Sequence, residues 1–115
     1  HPELSAQAEG LHPAVLRLID QTARAAHAAG KWVGVCGELG ADPQAVPILV
    51  GLGVDELSVS IPAIPAVKAQ IRSLSLSTAK RLAAEALERA SATEVRRTVD
   101  SLSVRTFSKT KEAEE

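Results

Sequence analysis

Two short runs, residues 32–35 (Trp-Val-Gly-Val) and 56–60 (Glu-Leu-Ser-Val-Ser), restrict what this chain can fold into more than any other feature. Each has the length and side-chain character of a strand, and the stretch between them carries a helical pattern. Asp42-Pro43 supplies an N-cap and a proline for the first helical position, and Ala45, Val46, Ile48, Leu49 and Leu52 follow as the apolar face. Strand, helix and strand in that order build a parallel pair joined by a crossover. The first run has no polar alternation, which predicts a strand covered on both faces. Pro47 falls inside the helical pattern and predicts a kink or a delayed helix start. Gly51-Leu52-Gly53 follows a helix instead of a strand and lacks a third glycine, so it reads as a helix end and turn, not a phosphate loop.

The first strand runs into Cys36-Gly37-Glu38, with Gly40 close behind, and Cys36 is the single cysteine of the chain. Reactive side chains in α/β proteins gather in turns beyond the carboxyl ends of parallel strands, where the sheet holds them in place. Cys36 occupies that place. An unpaired cysteine is more often a small buried hydrophobe, but glycines beside a thiol permit close backbone approach to a ligand, which burial alone does not need. Without a second cysteine there is no internal disulfide and no redox or zinc pair, which leaves a thiol redox protein with little support.

Residues 1–10 are small and polar and read as a loop or linker. From Pro13 an amphipathic helix places Val15, Leu18, Ile19, Thr22 and Ala26 on one face and stops at Gly30, with His12 and His27 as solvated positions away from the cysteine loop. After the second strand, Pro62 and Pro65 lead to a helix bearing Val67, Ile71 and Leu74. Beyond it, Leu76, Ala79, Leu82, Ala83, Ala86 and Ala90 form a narrow stripe. Ser91-Ala92-Thr93-Glu94 has capping-box spacing for a last helix with Val95, Val99 and Leu102, and residues 105–115 read as a flexible charged tail.

The 45% hydrophobic content includes one Phe, one Trp and no Tyr, so the core must be assembled from small aliphatic pieces. Thirteen basic and fourteen acidic residues leave a charge of -1 with no basic stripe, which argues against nucleic-acid binding. The longest apolar run, residues 45–54, is broken by Pro47 and too short for membrane insertion, and no secretion signal is evident, so the cytoplasm is the default compartment. There is no methionine, even at position 1, as expected of a fragment. Two strands do not make a self-sufficient parallel sheet. The expected fold is therefore α/β: the C-terminal fragment of a (β/α)8 TIM-type barrel, its last strand-helix units over residues 11–104, ending in C-terminal helices.

Several runs carry a resemblance: His12-Pro13-Ala14-Val15-Leu16, His27-Ala28-Ala29-Gly30-Lys31-Trp32-Val33-Gly34, Val35-Cys36-Gly37-Glu38-Leu39, and Gly51-Leu52-Gly53-Val54-Asp55-Glu56-Leu57-Ser58-Val59-Ser60. From Leu11 to Leu74 the chain resembles the C-terminal part of enzyme I, the phosphoenolpyruvate (PEP)-protein phosphotransferase of the bacterial sugar phosphotransferase system. It is more distantly similar to pyruvate phosphate dikinase and PEP synthase. The resemblance implies a barrel that binds PEP and Mg²⁺. It also implies phosphoryl transfer to a histidine on another domain and on to a histidine-containing phosphocarrier protein, in an enzyme that dimerises through its barrel. It makes Cys36 the group that protonates C3 of enolpyruvate, with Gly37 and Glu38 as loop support for the substrate. The family's phosphate-binding arginines, acidic metal ligands and phosphorylated histidine have no counterpart in these residues. The metal ligands are thus expected upstream, and the chain alone is expected to be inactive.

Overall fold

The computed structural model describes residues 10–112, with side chains to residue 102. Residues 1–9 of the expected linker and 113–115 of the expected tail lie outside the described residues. Helix α1 (Pro13–Ala28) starts where His12 Nδ1 accepts the Ala14 amide at 3.1 Å and Pro13 takes the first helical position. It ends in a Schellman turn: Gly30, at φ 71°, donates to the His27 carbonyl, and Lys31 donates to that of Ala26. Helix α2 (Val46–Gly51) closes the same way, with Gly53 at φ 88° donating to Val50 and Val54 donating to Leu49. The glycines around Leu52 are therefore a helix end, as read. Pro47 lies in the first turn of α2, and a turn hung on the Asp42 carbonyl precedes it, so the helix start is delayed.

Strands β1 (Gly34–Cys36) and β2 (Glu56–Ser58) pair in parallel, with Gly34 opposite Glu56, Val35 opposite Leu57 and Cys36 opposite Ser58. Both are shorter than expected. Trp32 and Val33 stand before β1, where the Val33 carbonyl accepts the Asp55 and Glu56 amides, and Val59 and Ser60 leave β2 for a 3-10 turn at Ile61–Ala63. The expectation that the first strand is covered on both faces does not hold. Val35 and Leu57 pack against the core, whereas Gly34, Cys36, Glu56 and Ser58 are exposed, because helices cover one side only.

Helices α3 (Ile64–Ser73), α4 (Leu76–Leu87) and α5 (Ala92–Glu112) follow. Ser91 Oγ accepts the Glu94 amide at 3.2 Å, and Glu94 reaches back to the Ala90 amide at 2.9 Å, so the capping box forms with its return bond one residue early. Helix α5 continues to Glu112, through residues assigned from sequence to a tail; that segment has no Gly or Pro to stop it.

Leu11 and Leu16, then Ile48, Leu49 and Leu52, then Leu82, Ala83 and Ala86, then Val95 and Val99 form one buried cluster. Small residues let α2 and α4 approach closely, and a Cβ at Gly51 would stand 2.1 Å from the Ala79 carbonyl oxygen. The expected face of α1 is displaced by about one residue: Leu16 and Ala23 are buried, while Leu18 is 64% exposed and Thr22 is also exposed. The contact with α4 selects this rotation, since Arg17 donates through Nε and Nη2 to the Leu87 carbonyl at the end of α4. Leu76 and Ile71, placed in apolar stripes by sequence, are also exposed.

Candidate functional site

Cys36 is the last residue of β1, and its exposed thiol lies on the open face of the sheet. Gly37 then turns the chain with φ 89° and ψ −166°, a conformation that L side chains rarely adopt, although open space surrounds its Cα. The 3-10 turn Glu38–Ala41 folds back toward β2, and the buried Gly40 is the residue at which backbones come close. A Cβ there would lie 3.3 Å from Val59 Cγ1 and 3.6 Å from Leu57 Cβ. The glycines beside the cysteine are expected from sequence to admit a ligand close to the backbone; the contacts seen are within the chain. Here Gly37 supplies the turn and Gly40 the contact.

An open cavity of about 480 Å³ lies over this end of the sheet. Cys36, Gly37 and Glu38 line one side, Ala41 and Asp42 the end of the turn, and Ser58, Val59 and Ser60 the side across from the thiol. The three residues selected from sequence, consecutive in the chain, all line this cavity. Ser58 was not selected, although period-two alternation from Glu56 assigns residues 58 and 60 to one face, and the register puts Ser58 directly opposite Cys36. Asp42 was read only as a cap. It does cap, through Oδ1 to the Gln44 amide at 2.9 Å, but it also lines the cavity and pairs with Arg96 of α5 at 2.9 Å. Partial burial is the largest influence on Asp42 and pushes its carboxyl upward; hydrogen bonds from Arg96, Gln44 and Ala45 and the guanidinium charge together outweigh it, and the carboxyl lies below its ordinary value.

His12 and His27 lie away from the cavity. His12 caps α1, and His27 Nε2 stands 2.7 Å from Asp55 Oδ2, at the end of the sheet opposite the thiol. Asp55 Oδ2 also accepts the Val33 amide at 2.9 Å, and the His27 hydrogen bond, followed by the Val33 amide, holds this carboxyl below the usual carboxylate range. Among the described residues no three His, Cys, Asp or Glu side chains are grouped closely enough to hold a metal ion. Nor is any helix among them long and apolar enough to cross a membrane.

Residues 1–76 match the family described as PEP-utilising enzyme, PEP-binding domain. The chain is 56% identical over 96 residues to a multiphosphoryl transfer protein of Rhodobacter capsulatus, covering 84% of this chain and 12% of that one. It is 46% identical over 95 residues to multiphosphoryl transfer protein 1 of Escherichia coli K12, covering 83% and 11%. Over 85 residues it is 46% identical to a phosphoenolpyruvate-protein phosphotransferase of Haemophilus influenzae, covering 74% and 15%. The chain therefore spans a small fraction of the length of the curated relatives it matches.

Proposed function

The chain belongs to the PEP-binding domain family of PEP-utilising enzymes, and we propose that it is the C-terminal part of the PEP-binding barrel of a PEP-protein phosphotransferase. The observation that carries the reading is Cys36: a thiol at the carboxyl end of a parallel strand, exposed to an open cavity lined by the cysteine loop and the end of β2. Transfer of the phosphoryl group to a histidine of the longer enzyme breaks the bond between phosphorus and the enol oxygen and leaves the enolate of pyruvate. Cys36 gives its proton to C3, a C–H bond forms, and the thiolate regains a proton from solvent; in reverse the thiolate removes that proton. An ordinary thiol is mostly protonated near neutrality and can serve as donor, provided that it is held near the carbon.

The rest of the assignment follows from the family likeness. Glu38 and Asp42 are the charged residues lining the cavity, and both are acidic, so the cations that an anionic substrate needs come from the rest of the longer protein. Magnesium belongs to the reading in the same way: the described residues do not form a site for it, and its ligands are assigned to that remainder. The histidine-containing phosphocarrier is the onward acceptor. The barrel itself is supported by a parallel pair with helices on one face and an open opposite face, which is the arrangement of the last units of a barrel. In the complete enzyme, Cys36→Ala is expected to lower pyruvate release by about a hundredfold or more, the scale of a lost general acid. Near-normal turnover would remove Cys36 from the mechanism.

A second reading, that this part also supplies a dimer surface, is favoured by Ile61, 81% exposed just beyond β2. Sedimentation of the complete enzyme with Ile61→Ser should show weakened association; an unchanged dimer would remove that face from the interface.

A further inference from the structure

The loop carrying Cys36 is tied at its far end to the last helix. Arg96 forks onto Asp42, Nη2 to Oδ2 at 2.9 Å and Nη1 to Oδ1 at 3.4 Å, across 54 residues of sequence. Nη1 also donates to Gln44 Oε1 at 2.5 Å, and Gln44 Nε2 donates to Asp100 Oδ1 at 2.8 Å, a second tie from the same helix. Between Cys36 and Asp42 there is only Gly37 and the 3-10 turn Glu38–Ala41, whose Gly40 is wedged against Val59. A short link of this kind, tight in the middle and pinned at one end, leaves the thiol little freedom to drift. A guanidinium suits the task because two nitrogens held in a fixed fork reach both carboxylate oxygens and the neighbouring amide oxygen at once, and an ammonium group has no such fork.

We propose that Arg96 is a positioning residue for Cys36: it fixes Asp42, and through it the cysteine loop, so that the last helix sets where the thiol stands over the cavity. This rests on the reading of Cys36 as proton donor, so the test has an arm that does not depend on turnover. Alkylation of Cys36 by iodoacetamide in the complete enzyme, followed at its own peptide by mass spectrometry, reports thiol placement directly. Arg96→Ala is expected to change that rate by about threefold or more, with Arg96→Lys falling between it and the unaltered chain. In the complete enzyme Arg96→Ala should lower kcat about tenfold while KM for PEP moves less than about twofold, the split expected when geometry and not binding is lost.

An unchanged alkylation rate in folded Arg96→Ala overturns the proposal, and so does an unchanged kcat in an enzyme that Cys36→Ala inactivates. If Cys36→Ala still turns over, the proton-donor reading falls by itself and alkylation alone decides the role of Arg96. Should Arg96→Ala fail to fold, Asp42→Asn is read by the same criteria, since it discards the charge yet keeps an acceptor for the Gln44 amide.

Discussion

The contact between α2 and α4 and the two-stranded sheet differ in almost every physical respect, although α2 is the connection between the strands. The helix contact is buried and built from alanines, leucines and a glycine that leaves no space for a methyl group. The sheet has three residues per strand, one face on the core and the other open beside a cavity. Burial of apolar area and close packing hold the first together, at about 25 cal/mol per Å². Backbone pairing holds the second, where each hydrogen bond adds about 1 kcal/mol net. The rigid contact stabilises the domain and the sparse sheet displays the thiol, so substitutions in the helix contact should cost more stability than substitutions in the sheet.

The largest effect is expected at Gly51. A side chain there collides with the Ala79 carbonyl at 2.1 Å and with Ala83 Cβ at 2.8 Å, both parts of a helix that cannot give way locally. Gly51→Val should cost about 3 kcal/mol or more. Gly37→Ala, at φ 89° in open space, meets only backbone strain of about 1–2 kcal/mol. Urea unfolding midpoints rank the two, and a smaller loss at Gly51 than at Gly37 would break the contrast. Leu49→Ala, inside the same contact and fully buried, should cost about 2–5 kcal/mol. Leu57→Ala on the half-buried side of the sheet should cost less than that by the same measurement.

These features were unequally legible in the sequence. Caps and turns were readable because their chemistry is local: Gly30, Gly53, Pro13 and Ser91 each act within a few residues of themselves. The rotation of α1 was not, since an alanine-rich helix presents several apolar stripes and only the partner decides which one is buried. Val15, Leu18 and Thr22 made as good a pattern as Leu16 and Ala23. The cysteine loop was legible as a place, through Gly37 and the strand before it, but its support was not. Arg96 and Asp42 stand 54 residues apart, and nothing periodic links two charges at that distance. Gly51 was read as part of a helix end, and its larger role, letting two helices touch, is a property of the partner helix.

A smaller effect separates the loop anchor from the helix contact on acidification. The Asp42 carboxyl is held below its ordinary value of 3.8 in the folded chain. A depressed folded value means that its stabilising contribution is complete above the unfolded value and disappears as pH falls through the folded one. The unaltered chain should therefore exceed Asp42→Asn in stability at pH 6, and the gap should close below about pH 4. Urea midpoints at the two pH values check this. Gly51→Val should keep the same deficit at both, because no titrating group takes part in its clash. A gap for Asp42→Asn that does not narrow on acidification would show that the anchor works by packing and not by charge.

The smallest expected change is at the residue with the most chemistry. Cys36 projects from the open face into the cavity, outside the buried cluster, so exchanging sulfur for oxygen removes almost no packing. Cys36→Ser should therefore shift stability by less than about 0.5 kcal/mol, the range of surface substitutions. Measured beside Leu49→Ala under identical conditions, it places the two regions at opposite ends of one scale. A loss of more than about 1.5 kcal/mol, as burial of a side chain would give, would mean that the thiol is part of the core. The division between a stabilising contact and a displaying sheet would then fail at the residue on which the proton-transfer reading depends.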